Sequence, residues 1–335
     1  MRARSAGLLA SLAGVTAIIT LAHISDLHAT PVEPRAVGPL LGKRASGWLS
    51  WRLRRRHAHQ EHVLEALIED LQREAPDHVA ITGDLTNVAL EEEFPLARGW
   101  LERIGAPGWV TAVPGNHDAY VAVPVERSWQ LWREYLVSDA ASRTLLEAVG
   151  HPQADGLEFP SLRLRGQLAL IGLCSAHPTP LFTASGSLGS VQRERLERLL
   201  GLLGERGLVR IVLIHHPPYP GATSRRRALS DAEQLCELLG RTGAELVLHG
   251  HLHKTRLAGI AGPAGEIPVV GVRSASDVGE RRDRRAQYHL YEVEANAGGP
   301  PSIRLRTRGY DEATGGFRAE GPPEGTLLSC CSDER

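Results

Sequence analysis

The sequence predicts an α/β fold of two packed mixed β-sheets flanked by helices, a four-layer sandwich. Short apolar runs of strand length alternate with amphipathic patterns of helix length, and such alternation stacks helices against sheet faces. Several of the apolar runs end directly in polar, ligand-type residues, which places those residues on loops at one sheet edge. At 335 residues the chain exceeds an ordinary domain, but α/β folds run to about 250 residues as one unit. One domain over 17–309 is therefore expected, preceded by an apolar segment over 1–16 and followed by a weakly structured tail over 310–335.

The elements follow in order. Arg2 and Arg4 precede an apolar stretch over 6–19 with the charge and length of a secretory signal, but its far end runs straight into the first strand, which closes at Ile24. A cytoplasmic protein is the favoured reading, with secretion left open. A helix is predicted over about 57–73, a strand over 79–82, a helix over 91–103 and a strand over 109–113. A further helix is predicted over 125–137, and two strands around RGQ within 157–174 read as a hairpin. Helices over about 191–203 and 231–239 flank the strand 209–214. Beyond 310 the chain is rich in Gly, Glu and Pro and promises little core.

Composition narrows the function classes. Hydrophobic content of 42% and charged content of 23% are ordinary for a soluble globular protein, and a net charge of −1 announces no specific nucleic-acid binding. Cys174, Cys236, Cys330 and Cys331 form no CxxC pair, which favours a reducing compartment.

Five short motifs carry the chemistry: DLH (Asp26, His28), GD (Asp84), GNH (Asn116, His117), HHPP (His215) and GHLH (His251, His253). Asp26 and His28, two apart on extended backbone, would point to one face and grip one ion. Asp84 has two carboxylate oxygens, so it can bridge two cations roughly 3.5–4 Å apart. Asn116 offers a hard, neutral oxygen, and His215, His251 and His253 add imidazoles after further strands. Imidazole, carboxylate and amide oxygen together suit two divalent or mixed-valence transition-metal ions, with manganese, iron and zinc all open.

This ordered set resembles the calcineurin-like metallophosphoesterase superfamily, and within it the bacterial class III cyclic-nucleotide and glycerophosphodiester phosphodiesterases. The resemblance covers roughly Thr20 to the strand after Lys254, and further strands to about Arg306 would complete the domain. It implies that Asp26, His28, Asp84 and His253 hold one ion and Asp84, Asn116, His215 and His251 the other, with His117 as the catalytic histidine. It also implies hydrolysis of a phosphate ester by a metal-bridging hydroxide, His117 assisting the leaving oxygen. One departure is Asn87, where many relatives carry an acidic residue three places after the GD aspartate; if that carboxylate orients the histidine, its basicity here is in question.

Three basic runs bear on the substrate. An insertion over 38–59 combines Trp48 and Trp51 with Arg52, Arg54, Arg55 and Arg56; it suits a lid over a phosphorylated ligand, a peripheral membrane contact through 44–56, or a solvated helix start whose tryptophans pack on the domain. His57, His59 and His62 in the same stretch read as helix-face residues, with a further metal site as the alternative. Arg225–Arg227 follow HHPPYPG, and Arg281, Arg282, Arg284 and Arg285 follow a strand-like PVVGV. Guanidinium forks match phosphate oxygens, which nominates Arg56, Arg225 and Arg226 as substrate contacts. The expected activity is that of a phosphodiesterase for a small phosphodiester or nucleotide-linked substrate. A UDP-diacylglucosamine-type pyrophosphatase at a membrane surface and a non-catalytic metal-bearing scaffold are the alternatives.

Overall fold

A computed structural model describes residues 18–33, 42–151, 157–279, 283–296 and 299–328. The apolar segment 1–16, Arg281, Arg282 and Cys330–Cys331 lie outside the described residues. Among the described residues thirteen strands in chain order form two sheets. The first has the order β12-β11-β10-β1-β2-β3, with β13 also on β11; the second has the order β4-β5-β6-β7-β9-β8. In the first sheet β1 (Ile19–Ile24), β2 (His78–Ile81) and β3 (Val110–Ala112) run parallel, and β10 (Gln287–Glu294) joins β1 antiparallel. In the second, β5 (Leu168–Gly172), β6 (Val209–Ile214), β7 (Leu246–His249) and β9 (Gly265–Gly271) run parallel, with β4 (Ser161–Arg165) and β8 (Arg256–Gly262) antiparallel on the two edges.

Strand alternation produces the four layers. Leu21 and Ala80 face the second sheet among Leu170, Leu213 and Leu248, while their neighbours Ala22, Val79 and Ile81 face the outer helices. The helices Glu61–Glu74 and Glu93–Ile104 cover the first sheet through Leu64, Leu67, Phe94 and Leu101. Gly189–Glu205 and Ala232–Thr242 cover the second through Leu196, Leu200, Leu235 and Leu239. Parallel strands in both sheets deliver their C-terminal loops to one edge, where α/β folds place their sites.

Two expectations are corrected. No continuous helix spans 125–137: 3-10 turns at Val125–Arg127 and Trp129–Trp132 precede one short helix, Arg133–Leu136. Ser128 leaves helical geometry at φ −132°, and the indole N–H groups of Trp129 and Trp132 are tied to the carbonyls of Asp118 and Phe94. The tail beyond Tyr310 is also not weakly structured throughout, since β11 (Ser302–Asp311) pairs with β12 (Gly316–Glu320) and β13 (Thr326–Leu328). Phe317 packs on Tyr288 and Tyr310, and Leu328 joins the core between the sheets.

One buried ion cluster fastens the first helix to its sheet. Asp70 accepts hydrogen bonds from Arg308 Nε and Nη2 and from Tyr288 Oη, all at 2.7 Å, and from Arg73 at 2.8 Å. Burial raises the carboxyl, but these donors outweigh it and leave its pKa below the ordinary value. A carboxylate with a depressed folded pKa stabilises above its unfolded value, about 3.9, and that stability is lost as pH falls through the lower folded value. Asp70→Ala, which leaves Arg308 without its main partner, is expected to cost about 3–5 kcal/mol in urea unfolding at pH 7. The deficit should shrink as pH falls through the lowered folded pKa, where the wild-type carboxyl becomes protonated as well. A deficit that stays constant from pH 7 down to the acid unfolding of the wild type would exclude the ion cluster as its source.

Candidate active site

The five motifs converge at the C-terminal ends of β1, β2, β3, β6 and β7. The reason differs from the extended-backbone geometry expected of Asp26 and His28. Both lie beyond the end of β1 in left-handed conformations, φ 53° and 44°, with buried Leu27 between them. His251 and His253 repeat the arrangement at φ 70° and 51°, and Asp84 has φ 57°. Non-glycine residues in this region cost on the order of 1–3 kcal/mol each and persist only where the surroundings dictate them. Here the β1 and β2 loops are laced together, with Asp26 N–H donating to Gly83 O at 2.9 Å and His28 N–H to Asp84 O at 3.2 Å.

Asp84 depends on its glycines. Gly83 has φ +91°, and a Cβ on Gly115 would lie 2.2 Å from Asp84 Oδ1, so only glycine lets the β3 loop approach. Asp118 holds both loops: its carboxylate accepts the N–H groups of Asp84, Leu85, Thr86 and Gly115 at 2.9–3.0 Å. It braces the site rather than facing its centre.

The ligand-type atoms fall into overlapping groups. Asp26, His28 and His253 form one, and Asp26, Asp84 and His215 another, with the ligand atoms of each group within 4.8 Å of one another. Asp84 Oδ2 lies 3.7 Å from His28 Nε2 and 3.3 Å from His215 Nε2, so it stands between the two halves. His253 Nε2 is 3.1 Å from Asp26 Oδ1. Asn116 Oδ1 lies 3.1 Å from His215 Nε2 and 2.8 Å from His251 Nδ1. Backbone carbonyls occupy the far nitrogens: Thr86 O faces His28 Nδ1, Thr82 O His215 Nδ1 and Arg227 O His251 Nε2, at 2.7–3.0 Å. A carbonyl accepts only from N–H, so His28 and His215 turn the lone pair of Nε2 inward and His251 that of Nδ1.

The fit to cations is direct. Asp26 Oδ1 and His28 Nε2 are buried with no hydrogen-bond partner in the protein, an arrangement that costs free energy unless an ion takes them up. Asp84 sits among imidazoles; burial opposes its charge, but His215 and His117 hold its pKa well below the usual range. In return Asp84 outweighs burial at His215 and raises that imidazole to about 9.

Residues 19–255 match the model of the calcineurin-like phosphoesterase family. The chain belongs to that family. It is 24% identical over 252 residues to a probable cyclic nucleotide phosphodiesterase from a Synechococcus species, covering 74% of this chain and 78% of the relative. A probable glycerophosphodiester phosphodiesterase from Arcobacter nitrofigilis is 27% identical over 186 residues, 53% of this chain, and the match spans only 57% of that relative. The fold is also that of a dimetal phosphatase from Danio rerio, with a TM-score of 0.55 at 11% identity, covering 90% of this chain and 98% of that one. These relatives agree with the motif-based resemblance to bacterial phosphodiesterases.

His117 forms a further group with His28 and Asp84, its ring centroid 4.8 Å from that of His28. Its Nδ1 makes a short hydrogen bond to the backbone carbonyl of Asn87, and its ring stacks on Tyr120 at 5.6 Å. The missing acidic residue therefore does not leave the histidine unoriented, because backbone replaces side chain. Asn87 Nδ2 instead spans the carbonyls of His28 and Thr30. Burial, and then Arg55, bring His117 down to about 3.

The nominated arginines are not the ones that reach the centre. Arg56 is exposed and donates to His57, and Arg225 and Arg226 are exposed. Arg55 points inward instead, its Nη1 lying 3.0 Å from His117 Nε2, and Arg227 Nη2 approaches His251 O at 3.4 Å. The backbone forms a π turn over Trp51–Arg55, whose wider pitch shifts which arginine faces in, and sequence periodicity carries no sign of it. His59, favoured as a helix-face residue over a further metal site, forms with His253 and Asp277 a further group of ligand-type atoms. Trp48 and Trp51 pack on Val32, Val88 and Leu90, so the packed-helix reading of the insertion describes them and a membrane-facing role gains no support. Among the described residues no helix is long and apolar enough to cross a membrane.

Proposed function

We propose that the protein is a metal-dependent phosphodiesterase acting on a small phosphodiester. Asp26, His28, Asp84 and His253 would hold one cation and Asp84, Asn116, His215 and His251 a second. The observation that carries this reading is Asp84 Oδ2, within 3.7 Å of an imidazole nitrogen from each half. When bound, manganese, iron or zinc supplies Lewis acidity toward phosphoryl oxygens and makes water more acidic. Two carboxylates and neutral side chains leave such a centre net positive, which selects anions. His117 donates Nδ1–H to Asn87 O, which leaves the lone pair on Nε2; there it would act as a base, and only a proton so gained could pass on to a leaving oxygen.

Substrate choice rests on the relatives named as phosphodiesterases, both distant. The pyrophosphatase alternative drew on the Trp/Arg insertion, and tryptophans packed on the domain give it no support, while the orientation of His117 counts against a scaffold without turnover. Manganese-reconstituted protein is expected to hydrolyse bis(4-nitrophenyl) phosphate at least about tenfold faster than 4-nitrophenyl phosphate, a difference of about 1.4 kcal/mol in barrier. Preference for the monoester would overturn the phosphodiesterase assignment. A panel of cyclic nucleotides, glycerophosphodiesters and nucleotide-linked diphosphates would then rank natural substrate classes.

A further inference from the structure

The basic insertion is fastened over the site at both ends. At its start Lys43 Nζ donates to Thr179 Oγ1 at 2.7 Å and Arg44 Nε to Val88 O at 3.2 Å. At its end Gln60 N–H donates to Ser276 O at 3.0 Å, and Ala58 O accepts from Val278 N–H at 2.8 Å. Gly47 lies so close to the domain that a Cβ there would meet Val88 Cγ1 at 2.7 Å and Tyr120 Oη at 2.8 Å. Between these fastenings the π turn presents Arg55 to His117.

Arg55 is half-buried, yet among the described residues no ion pair joins it to a carboxylate. A guanidinium has five N–H donors and no acceptor, and one taken out of water without a counter-charge is costly. Only its Nη1 is engaged, on a neutral imidazole. Arg227, from the loop after β6, is exposed and close enough for the two cations to repel one another. Asp26 and Asp84 attract Arg55 from a distance, but bound cations would claim both carboxylates. Two arginines at the rim of a cation-binding centre, one half-buried without a paired carboxylate, describe a receptor for an anion.

We propose that Arg55 and Arg227 clamp the non-bridging oxygens of a phosphoryl group, with the insertion as a preformed lid that delivers Arg55. On anion binding Arg55 exchanges His117 Nε2 for a phosphoryl oxygen, which frees the lone pair of that nitrogen to accept a proton. The clamp rests on the phosphoesterase reading and adds to it the residues that grip substrate.

The test is calorimetric titration of inorganic phosphate into the full-length, manganese-loaded protein, with metal content measured in parallel. Charge-assisted hydrogen bonds contribute about 1.5–3 kcal/mol, so Arg55→Ala is expected to weaken phosphate binding about 10- to 100-fold at unchanged manganese content. Arg55→Lys should recover only part of this, because a point charge lacks the fork. Exposed Arg227 should contribute less, about threefold on truncation. Arg52→Ala, exposed on the same insertion and set over the Trp48 ring, is the charge control and should bind phosphate as wild type does. Unchanged phosphate affinity in Arg55→Ala would overturn the clamp, as would loss of manganese in that variant, which would make Arg55 a structural support. If wild type cleaves the diester while Arg55→Ala binds phosphate normally, the clamp fails and the hydrolase reading stands. If phosphate binding depends on Arg55 but no ester is cleaved, the clamp stands and the hydrolase reading fails.

Discussion

Asp84→Ala is expected to lower diester hydrolysis on the order of 1,000-fold or more and to reduce bound manganese from two equivalents toward none. Metal-assisted phosphoryl chemistry draws several kcal/mol of transition-state stabilisation from its cations, and each 1.4 kcal/mol or so is a factor of ten. Asp84 is the side chain whose loss reaches both halves of the site, since His28 and His215 face the same Oδ2 from opposite sides. Removing His253 or His251 should damage one half more than the other, and metal analysis should then retain close to one equivalent. The fold should survive, because the loop is held by Asp118 through backbone amides that Asp84→Ala leaves in place. Equal rates for Asp84→Ala and wild type, with two metals still bound, would defeat the dinuclear reading.

The layers were legible because buried strands and amphipathic helices write their periods into the chain. Thr20 to Ile24 reads as an apolar run, and its alternate members, Leu21 and Ala22, do face different layers. The ligand-type residues were legible for a related reason, since each follows such a run. Their backbone was not. Asp26, His28, Asp84, His251 and His253 are all left-handed without being glycine, and no propensity of aspartate or histidine announces five such residues together. Those conformations come from contacts between loops that sequence analysis sees only separately, such as Asp26 N–H on Gly83 O. The facing of Arg55 rather than Arg56 depends on one π turn, a helical variant without a reliable sequence signature. The strands beyond Tyr310 were obscured by glycine and glutamate at their turns and exposed faces. Phe317 and Leu328, one anchor in each strand, were their only apolar signals of burial.

Asp118 is the residue whose truncation should damage the fold of the site most. Its carboxylate takes four backbone N–H groups and the Thr86 hydroxyl, and it is 2% exposed, so water has little access to replace it. A buried donor left without an acceptor costs about 1–3 kcal/mol, and partial collapse or one entering water would satisfy some of the four. Asp118→Ala is therefore expected to lose about 4 kcal/mol, a fall in Tm of roughly 8 °C at about 2 °C per kcal/mol for a protein of this size. Asp118→Asn tests the origin of the loss. Asparagine matches the shape but offers one acceptor oxygen and turns an NH2 toward donors, so it should recover little of the stability. The same brace sets the approach of the β2 and β3 loops, with Gly115 against Asp84. Manganese affinity should thus fall about 10- to 100-fold in either variant, the range for lost outer support of a metal ligand. A Tm within about 1 °C of wild type for Asp118→Ala, with metal affinity intact, would show that the loops hold their geometry without it and that Gly83 and Gly115 alone set the approach of the two loops.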